Sequence, residues 1–231
     1  MSESTITSEG RIWDAGRRIL SADEARVGEY RAAIRFFEPS AKVLDVACGT
    51  GTFLELRPNT VGIDINPENV DYCRARGLPA SVGDALALDF PASTFDGVHC
   101  SHLIQVFSPE QTVKAFTEIA RVVRPGGTIV ITTLNSFKRF FRHPENVRPY
   151  PPDAIMRLIG KAKGSQSPMF PGLPVLAIED VVFRRPALVE FYGSTPSRAR
   201  YSAVLNSLQR QNHLRKYWSF DAYTMKLRVH K

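Results

Sequence analysis

The chain has 231 residues, 43% of them hydrophobic, and a formal net charge of +7. This length and apolar content provide for one domain-sized core and exclude a short disulfide-built scaffold; Cys48, Cys73 and Cys100 stand apart, with neither the pairing of a disulfide framework nor the spacing of a zinc site. The longest apolar run, around Thr128 to Leu134, is too short to cross a bilayer, and the first thirty residues lack the basic-then-apolar pattern of a signal peptide, so a cytoplasmic protein with no transmembrane segment is expected.

In chain order, residues 1–9 are polar, and Arg11 to Phe37 reads as helices. Ala25, Tyr30, Ala33, Ile34 and Phe37 recur at three- and four-residue spacing there, until Pro39 stops the second helix. Val43 to Ala47 is a strand, Phe53 to Leu56 a short helix and Val61 to Ile65 a second strand. Asn66-Pro67-Glu68 opens a helix with a capping Asn, a Pro at the first helical position and an early acid, and Gly77 closes it. Ala80 to Val82 and Phe95 to Ser101 are further strands. Ser108-Pro109-Glu110-Gln111 has capping-box spacing ahead of an apolar face formed by Val113, Phe116, Ile119, Ala120 and Val123. Pro125-Gly126-Gly127 is a break, and Thr128 to Thr133 a fifth strand. Strands and helices alternating at this spacing predict a doubly wound α/β sheet, mostly parallel, with helices on both faces.

Beyond Asn135 the pattern changes. Residues 1–135 carry 13 basic and 17 acidic side chains, net −4, whereas residues 136–231 carry 17 and 6, net +11. The second part is therefore expected to meet something acidic: nucleic acid, an anionic substrate or a membrane surface. The segment 135–152 mixes Phe137, Phe140 and Phe141 with Lys138, Arg139, Arg142 and Arg148, and reads as a cap, a peripheral membrane contact or an RNA-facing strip. Pro152 to Ile159 begins a helix, and 164–177 is a Pro/Gly-rich apolar loop read as a lid. Pro186 to Tyr192 reads as a strand and Ser197 to Tyr217 as an amphipathic helix with arginines outward. Tyr223 to Val229 alternates as a last strand.

The segment "VLDVACGTGTF" (43–53) leaves the first strand through a glycine-rich turn, the place where doubly wound folds bind ligands. A dinucleotide fingerprint needs a third glycine, and Leu54 stands there instead. An acid, Asp45, beside bare glycine backbone suits a cationic ligand better than a pyrophosphate. Taken with "VGIDIN", "VGDALALDFP", "FDGVHCSHLIQVF" and "RVVRPGGTIVITT", the stretch from Lys42 to Asn135 resembles the class I S-adenosylmethionine-dependent methyltransferases, of the broad group containing the ubiquinone/menaquinone biosynthesis enzymes.

That resemblance implies a Rossmann-like seven-stranded sheet with an antiparallel last strand, N-terminal helices (1–41), a cofactor-binding core (42–135), a cap inserted after the fifth strand (136–182) and a closing strand-and-helix segment (183–231). It implies S-adenosylmethionine as cofactor, S-adenosylhomocysteine as product and no metal. Asp45 would orient the cofactor's ammonium. Ala47, Gly49, Gly51 and Ser101 would line its path, with the glycines leaving room for it. Asp64 would accept from both ribose hydroxyls, Ile65 would pack on the adenine, and Asp84 with the Ala85 N–H would meet the adenine edge.

Many relatives read "SHVLEHV" in the fourth-strand segment. Here Gln105 replaces the acid and Val106 the second histidine, which leaves His102 as the catalytic candidate and Gln105, Arg139 and Arg148 as substrate-side candidates. The chain has no Asn-Pro-Pro-Tyr run, which tells against the enzymes that methylate amino groups of nucleic acid. A small anionic or amphipathic acceptor, methylated at oxygen or nitrogen, is the favoured reading. An RNA or protein methyltransferase docking through the basic half is the alternative, and a binding protein that keeps the fold without the chemistry is a third.

Overall fold

A computed structural model of the chain describes residues 22–134, 140–141, 143–159, 176–184 and 222–230. In chain order these form α1 (Ala22–Ile34), β1 (Val43–Val46), α2 (Thr52–Leu56), β2 (Thr60–Asp64), α3 (Pro67–Ala75), β3 (Ala80–Val82), β4 (Phe95–Ser101), a 3₁₀ turn (Ile104–Val106), α4 (Pro109–Val122), β5 (Val123–Leu134), α5 (Pro152–Leu158), β6 (Leu176–Arg184) and β7 (Ala222–Val229). The strands make one seven-stranded sheet in the order β3-β2-β1-β4-β5-β7-β6. β1 to β5 run parallel, and β7 lies antiparallel between β5 and β6, as the resemblance implies.

β1 is buried along its whole length, so its two faces feed two cores. Leu44 and Val46 join Val98, Cys100, Ile129 and Ile131 in the larger core, which α4 closes with Phe116 and Ile119. Val43 faces the other way, into a cluster of Ala33, Phe37, Phe53 and Val130 beneath α1. The first-turn signals hold. The Asn66 side chain accepts from the Glu68 N–H at 2.9 Å, and Ser108 and Gln111 close a reciprocal capping box. Each such cap is worth about 1 kcal/mol.

Arg57 is 4% exposed and has no carboxylate within ion-pair distance among the described residues. Its guanidinium donates instead to the carbonyls of Glu38, Ala41, Pro58 and Asn59 and to the Thr60 hydroxyl. It thereby ties the link before β1 to the link before β2 under the N-terminal edge of the sheet.

Three boundaries differ from expectation. Helix α1 stops at Ile34, with Phe36 and Phe37 in the turn that follows it. The Pro125-Gly126-Gly127 break is absorbed into β5 as an irregularity, across which the pairing steps from Phe95–Val123 to Gly97–Thr128. The expected cap to residue 182 and lid to 177 overrun β6, which already begins at Leu176. Its pairing with β7 supplies the order that a proline-rich lead-in conceals. The expected strand 186–192, the helix 197–217 and residues 1–21 lie outside the described residues.

Candidate active site

The parallel strands end on one side of the sheet, with Asp45 near the end of β1, Asp64 ending β2, Ser101 ending β4 and Asp84 and His102 just beyond β3 and β4. After Val46 the chain turns sharply. Ala47 has φ +60°, a left-handed conformation that costs a residue with a Cβ, and Gly49 follows at +54° and Gly51 at +83°. The two glycines differ in purpose. A Cβ on Gly49 would meet nothing within 4 Å, so this backbone borders open space. A Cβ on Gly51 would come within 2.6 Å of Leu78 and 2.8 Å of Cys73, which corrects the expectation that its bareness makes room for a ligand: it makes room for the α3 side of the fold.

Asp64 ends β2 and is buried. Its Oδ2 accepts from the Gly49 N–H at 2.8 Å, and its Oδ1 accepts from the Asn66 N–H at 2.9 Å and the Asn69 amide at 3.2 Å. The next residue, Ile65, is 71% exposed, and Val82, at the end of the neighbouring β3, is 55% exposed. Two apolar side chains are thus left in solvent at the top of adjacent strands, next to an acid. Asp84 is exposed. Its Oδ1 accepts from the Leu86 N–H at 2.8 Å, as a turn acid does, while Ala85 packs into the core.

Asp45 is 3% exposed and bonds His99 of β4 across the sheet, Oδ1 to Nδ1, at 2.6 Å. Burial raises the Asp45 pKa, and the attraction and hydrogen bond of His99 oppose the rise. The thiols beside this acid are pushed upward by burial, Cys100 to about 12, and so stay protonated and inert. Ser101, at the end of β4, has a buried hydroxyl with no partner among the described residues.

His102 follows with φ +56°, and its backbone N–H is held by the Thr132 carbonyl at 2.8 Å. Its Nε2 lies 3.1 Å from Oε2 of Glu29, a residue of α1 that is only 6% exposed. Sequence periodicity treats Glu29 as an ordinary helix residue. The signal it carried is an acid followed directly by Tyr30 in a run of apolar positions.

Gln105, expected on the substrate side, is instead a clasp. Its Oε1 accepts from the Thr133 hydroxyl and the Leu134 N–H, its Nε2 donates to Asn146, and its carbonyl accepts from Val147 and Arg148. The side chain is 6% exposed, and its second Nε2 hydrogen is the one position of the amide without a partner among the described residues. Arg148 is exposed and lies over the Tyr150 ring. Arg139 lies outside the described residues. No cluster of His, Cys, Asp and Glu among the described residues could hold a metal, and no described helix is long and apolar enough to cross a membrane.

Residues 44–131 match the family described as a methyltransferase domain. The sheet superposes on a S-adenosylmethionine-dependent methyltransferase of Archaeoglobus fulgidus with a TM-score of 0.62 at 20% identity, covering 90% of this chain and 94% of that one. Residues 44–131 thus form a methyltransferase domain with the fold of the S-adenosylmethionine-dependent methyltransferases. The methyl donor that such a domain implies is S-adenosylmethionine, and the crevice fits it: open space at Gly49, an acid with a lone pair free on Oδ2 at Asp64 and two exposed apolar side chains at Ile65 and Val82.

Among curated proteins, the domain is 37% identical over 97 residues to the human probable tRNA methyltransferase 9B and 39% identical over 104 residues to the fatty-acid O-methyltransferase of Mycolicibacterium smegmatis. The matches take in 41% and 39% of this chain but only 21% and 36% of those proteins, so the chain spans well under half the length of either. These relatives bear on the methyltransferase class and not on the ubiquinone/menaquinone group.

Proposed function

We propose that the protein transfers the methyl group of S-adenosylmethionine to an oxygen or nitrogen of a small acceptor, with His102 taking the acceptor's proton. The observation that carries this reading is the His102–Glu29 pair at the end of β4. The bound donor supplies a methyl carbon already activated on a sulfonium, so the protein needs to align the nucleophile and remove its proton. With Nε2–H given to Glu29, the lone pair on Nδ1 is the basic site. Glu29 holds the ring and stabilises the imidazolium that forms. A buried acid behind the base favours an acceptor that arrives protonated and neutral at the reacting atom, with any anionic or apolar part held farther away.

On the donor side, Asp64 would take one ribose hydroxyl through the lone pair left on Oδ2 and the other on Oδ1 once Asn69 is released, and Ile65 with Val82 would sandwich the adenine. The second oxygen of Asp84 would accept from the adenine amino group near the Ala85 N–H. Asp45 would face the ammonium, and the chain at Ala47, Gly49 and Ser101 would line the methionine path. A second reading, methylation of RNA or protein, draws on the +11 charge of residues 136–231 and on the tRNA methyltransferase relative. The small acceptor is preferred because α1 walls the crevice beside His102, with Glu29 buried, and an open polymer groove needs that wall withdrawn.

The test is transfer of a tritiated methyl group to a small-molecule extract, to total RNA and to total protein, each with wild type and His102→Ala. Label in the small-molecule fraction that is lost in the variant is expected. Label in RNA, with binding that falls steeply as salt rises, overturns the choice of acceptor.

A further inference from the structure

His99 is fully buried in the middle of β4, and nothing so far explains why an imidazole stands there. Its ring stacks face to face on Phe53 at 3.8 Å and 9°, and Tyr30 of α1 meets it edge-on at 5.7 Å. Its Nδ1 bonds Asp45, its register partner on β1, while its Nε2 is buried with no hydrogen-bond partner among the described residues. Leaving a buried polar atom unpaired costs about 1–3 kcal/mol. A valine or leucine would fill a strand position between two aromatic rings without that cost. The ring is therefore kept for what Nδ1 does.

The proton between the two groups has two possible places. If Asp45 held it and donated to Nδ1, the neutral ring would carry its hydrogen on Nε2, leaving an orphaned N–H donor among aromatic rings. If Nδ1 holds it, the orphan is an acceptor, the less rare defect in proteins, and Asp45 is a carboxylate. Its Oδ2 takes no hydrogen bond from the described residues.

We propose that His99 is a positioning residue for the methyl donor, acting through Asp45: its Nδ1–H fixes the carboxylate so that Oδ2 faces the ammonium of S-adenosylmethionine. This rests on the reading of Asp45 given under Proposed function. Without the ring, Asp45 sits in a buried site with Asp64 as a like-charged neighbour and loses the one interaction that favours its ionised form. Donor affinity then becomes dependent on pH. The other groups around the pair are Cys48 and Cys100, whose thiols are raised out of the neutral range, Tyr30 on α1, and the nearby Glu29–His102 pair, which is unchanged in every variant below.

The experiment is calorimetric titration of S-adenosylhomocysteine between about pH 5.5 and 7.5, where the ligand's ammonium stays protonated. It compares wild type, His99→Val, His99→Asn, Asp45→Asn and the double variant His99→Val/Asp45→Asn. Wild-type affinity should be nearly flat. His99→Val should bind about tenfold or more weakly at the acid end and recover as pH rises, and His99→Asn, whose amide can donate in place of Nδ1–H, should restore much of the loss. In the Asp45→Asn background the valine should add nothing.

A flat, wild-type profile in His99→Val overturns the proposal, as does an equal loss in both backgrounds, which would make the ring mere packing. Wild type that binds no ligand at all refutes the assignment of the donor site itself, a different failure. ¹⁵N spectra of histidine-labelled wild type decide the matter even where the valine variant does not fold. The Nδ1–H tautomer is expected at His99, and the Nε2–H tautomer overturns the proposal.

Discussion

Alanine substitution at the two glycines of the crevice loop should have opposite signatures. At Gly51 the backbone sits at φ +83°, where a Cβ costs roughly 1–2 kcal/mol. The new atom would also lie 2.6 Å from Leu78 Cδ1 and 2.8 Å from Cys73 Sγ, overpacking worth about 1–3 kcal/mol. Gly51→Ala should therefore lose about 2–5 kcal/mol of stability, a melting temperature lower by roughly 4–20 °C for a domain of this size. Part of the loss should return in Gly51→Ala/Leu78→Ala, because the two changes share one clash. At Gly49 the φ cost applies but the Cβ points into open space. Gly49→Ala should melt only a few degrees lower, about 2–8 °C, while its affinity for S-adenosylhomocysteine falls sharply. Thermal unfolding and calorimetry on the same preparations decide it. A Gly51→Ala protein with wild-type stability and lost binding would reverse the assignment and return Gly51 to the ligand side of the loop.

Three further outcomes follow from the same geometry. Asp64→Asn keeps one acceptor oxygen and turns a donor toward either Gly49 or Asn66, so it should lose about 1.5–3 kcal/mol of stability along with donor affinity; wild-type values for both in urea unfolding and calorimetry would refute the role. Glu29→Gln should lower kcat by about ten- to a hundredfold and shift its pH profile, with KM for the donor within about twofold; an unchanged kcat removes Glu29 from the chemistry. Glu179 is held at about 2 by Arg228 and Lys226, below its usual 4.5, so its contribution is full above that usual value and disappears as pH falls toward 2. The Glu179 and Arg228 side chains are about a third exposed and screened by solvent, so Glu179→Gln should cost under about 1 kcal/mol at pH 7, and urea curves of the two proteins should converge near pH 2; a constant gap contradicts the sign.

The order of motifs from Val43 to Thr133 made the parallel core and the crevice legible, because glycine turns, strand-end acids and caps are local signals. Pairings across the fold were not legible in the same way. Glu29 meets His102 over 73 residues of sequence, and no spacing rule joins them. His99 reads as strand filler until β1 and β4 are laid side by side with Asp45 and His99 at one height. An acid in one buried strand and an imidazole in its neighbour were the available clue. Gln105 read as a substrate-side candidate, since its partners in the fold, Thr133, Leu134 and Asn146, come together only after β5 and the chain beyond it are in place. Strand β6 was missed because Glu179 and Asp180 interrupt its apolar run, and its order depends on β7, far along the chain.

The Arg57 knot gives α1 one fixed end. The guanidinium grips the Glu38 and Ala41 carbonyls just beyond the helix, while Phe37 and Ala33 pack beneath it. Glu29, the residue that meets His102, lies upstream of that anchor. A rod pinned at its base and steadied farther up by Glu29 on His102 and by Tyr30 on Phe53 and His99 behaves as a lever, and the pin sets where it can turn. Amide exchange along α1 should accordingly be graded, slowest toward Ile34 and faster toward Ala22. Cutting the pin with Arg57→Met should flatten that gradient and let the acid drift from the imidazole, although Arg57 sits at the opposite edge of the sheet from the chemistry.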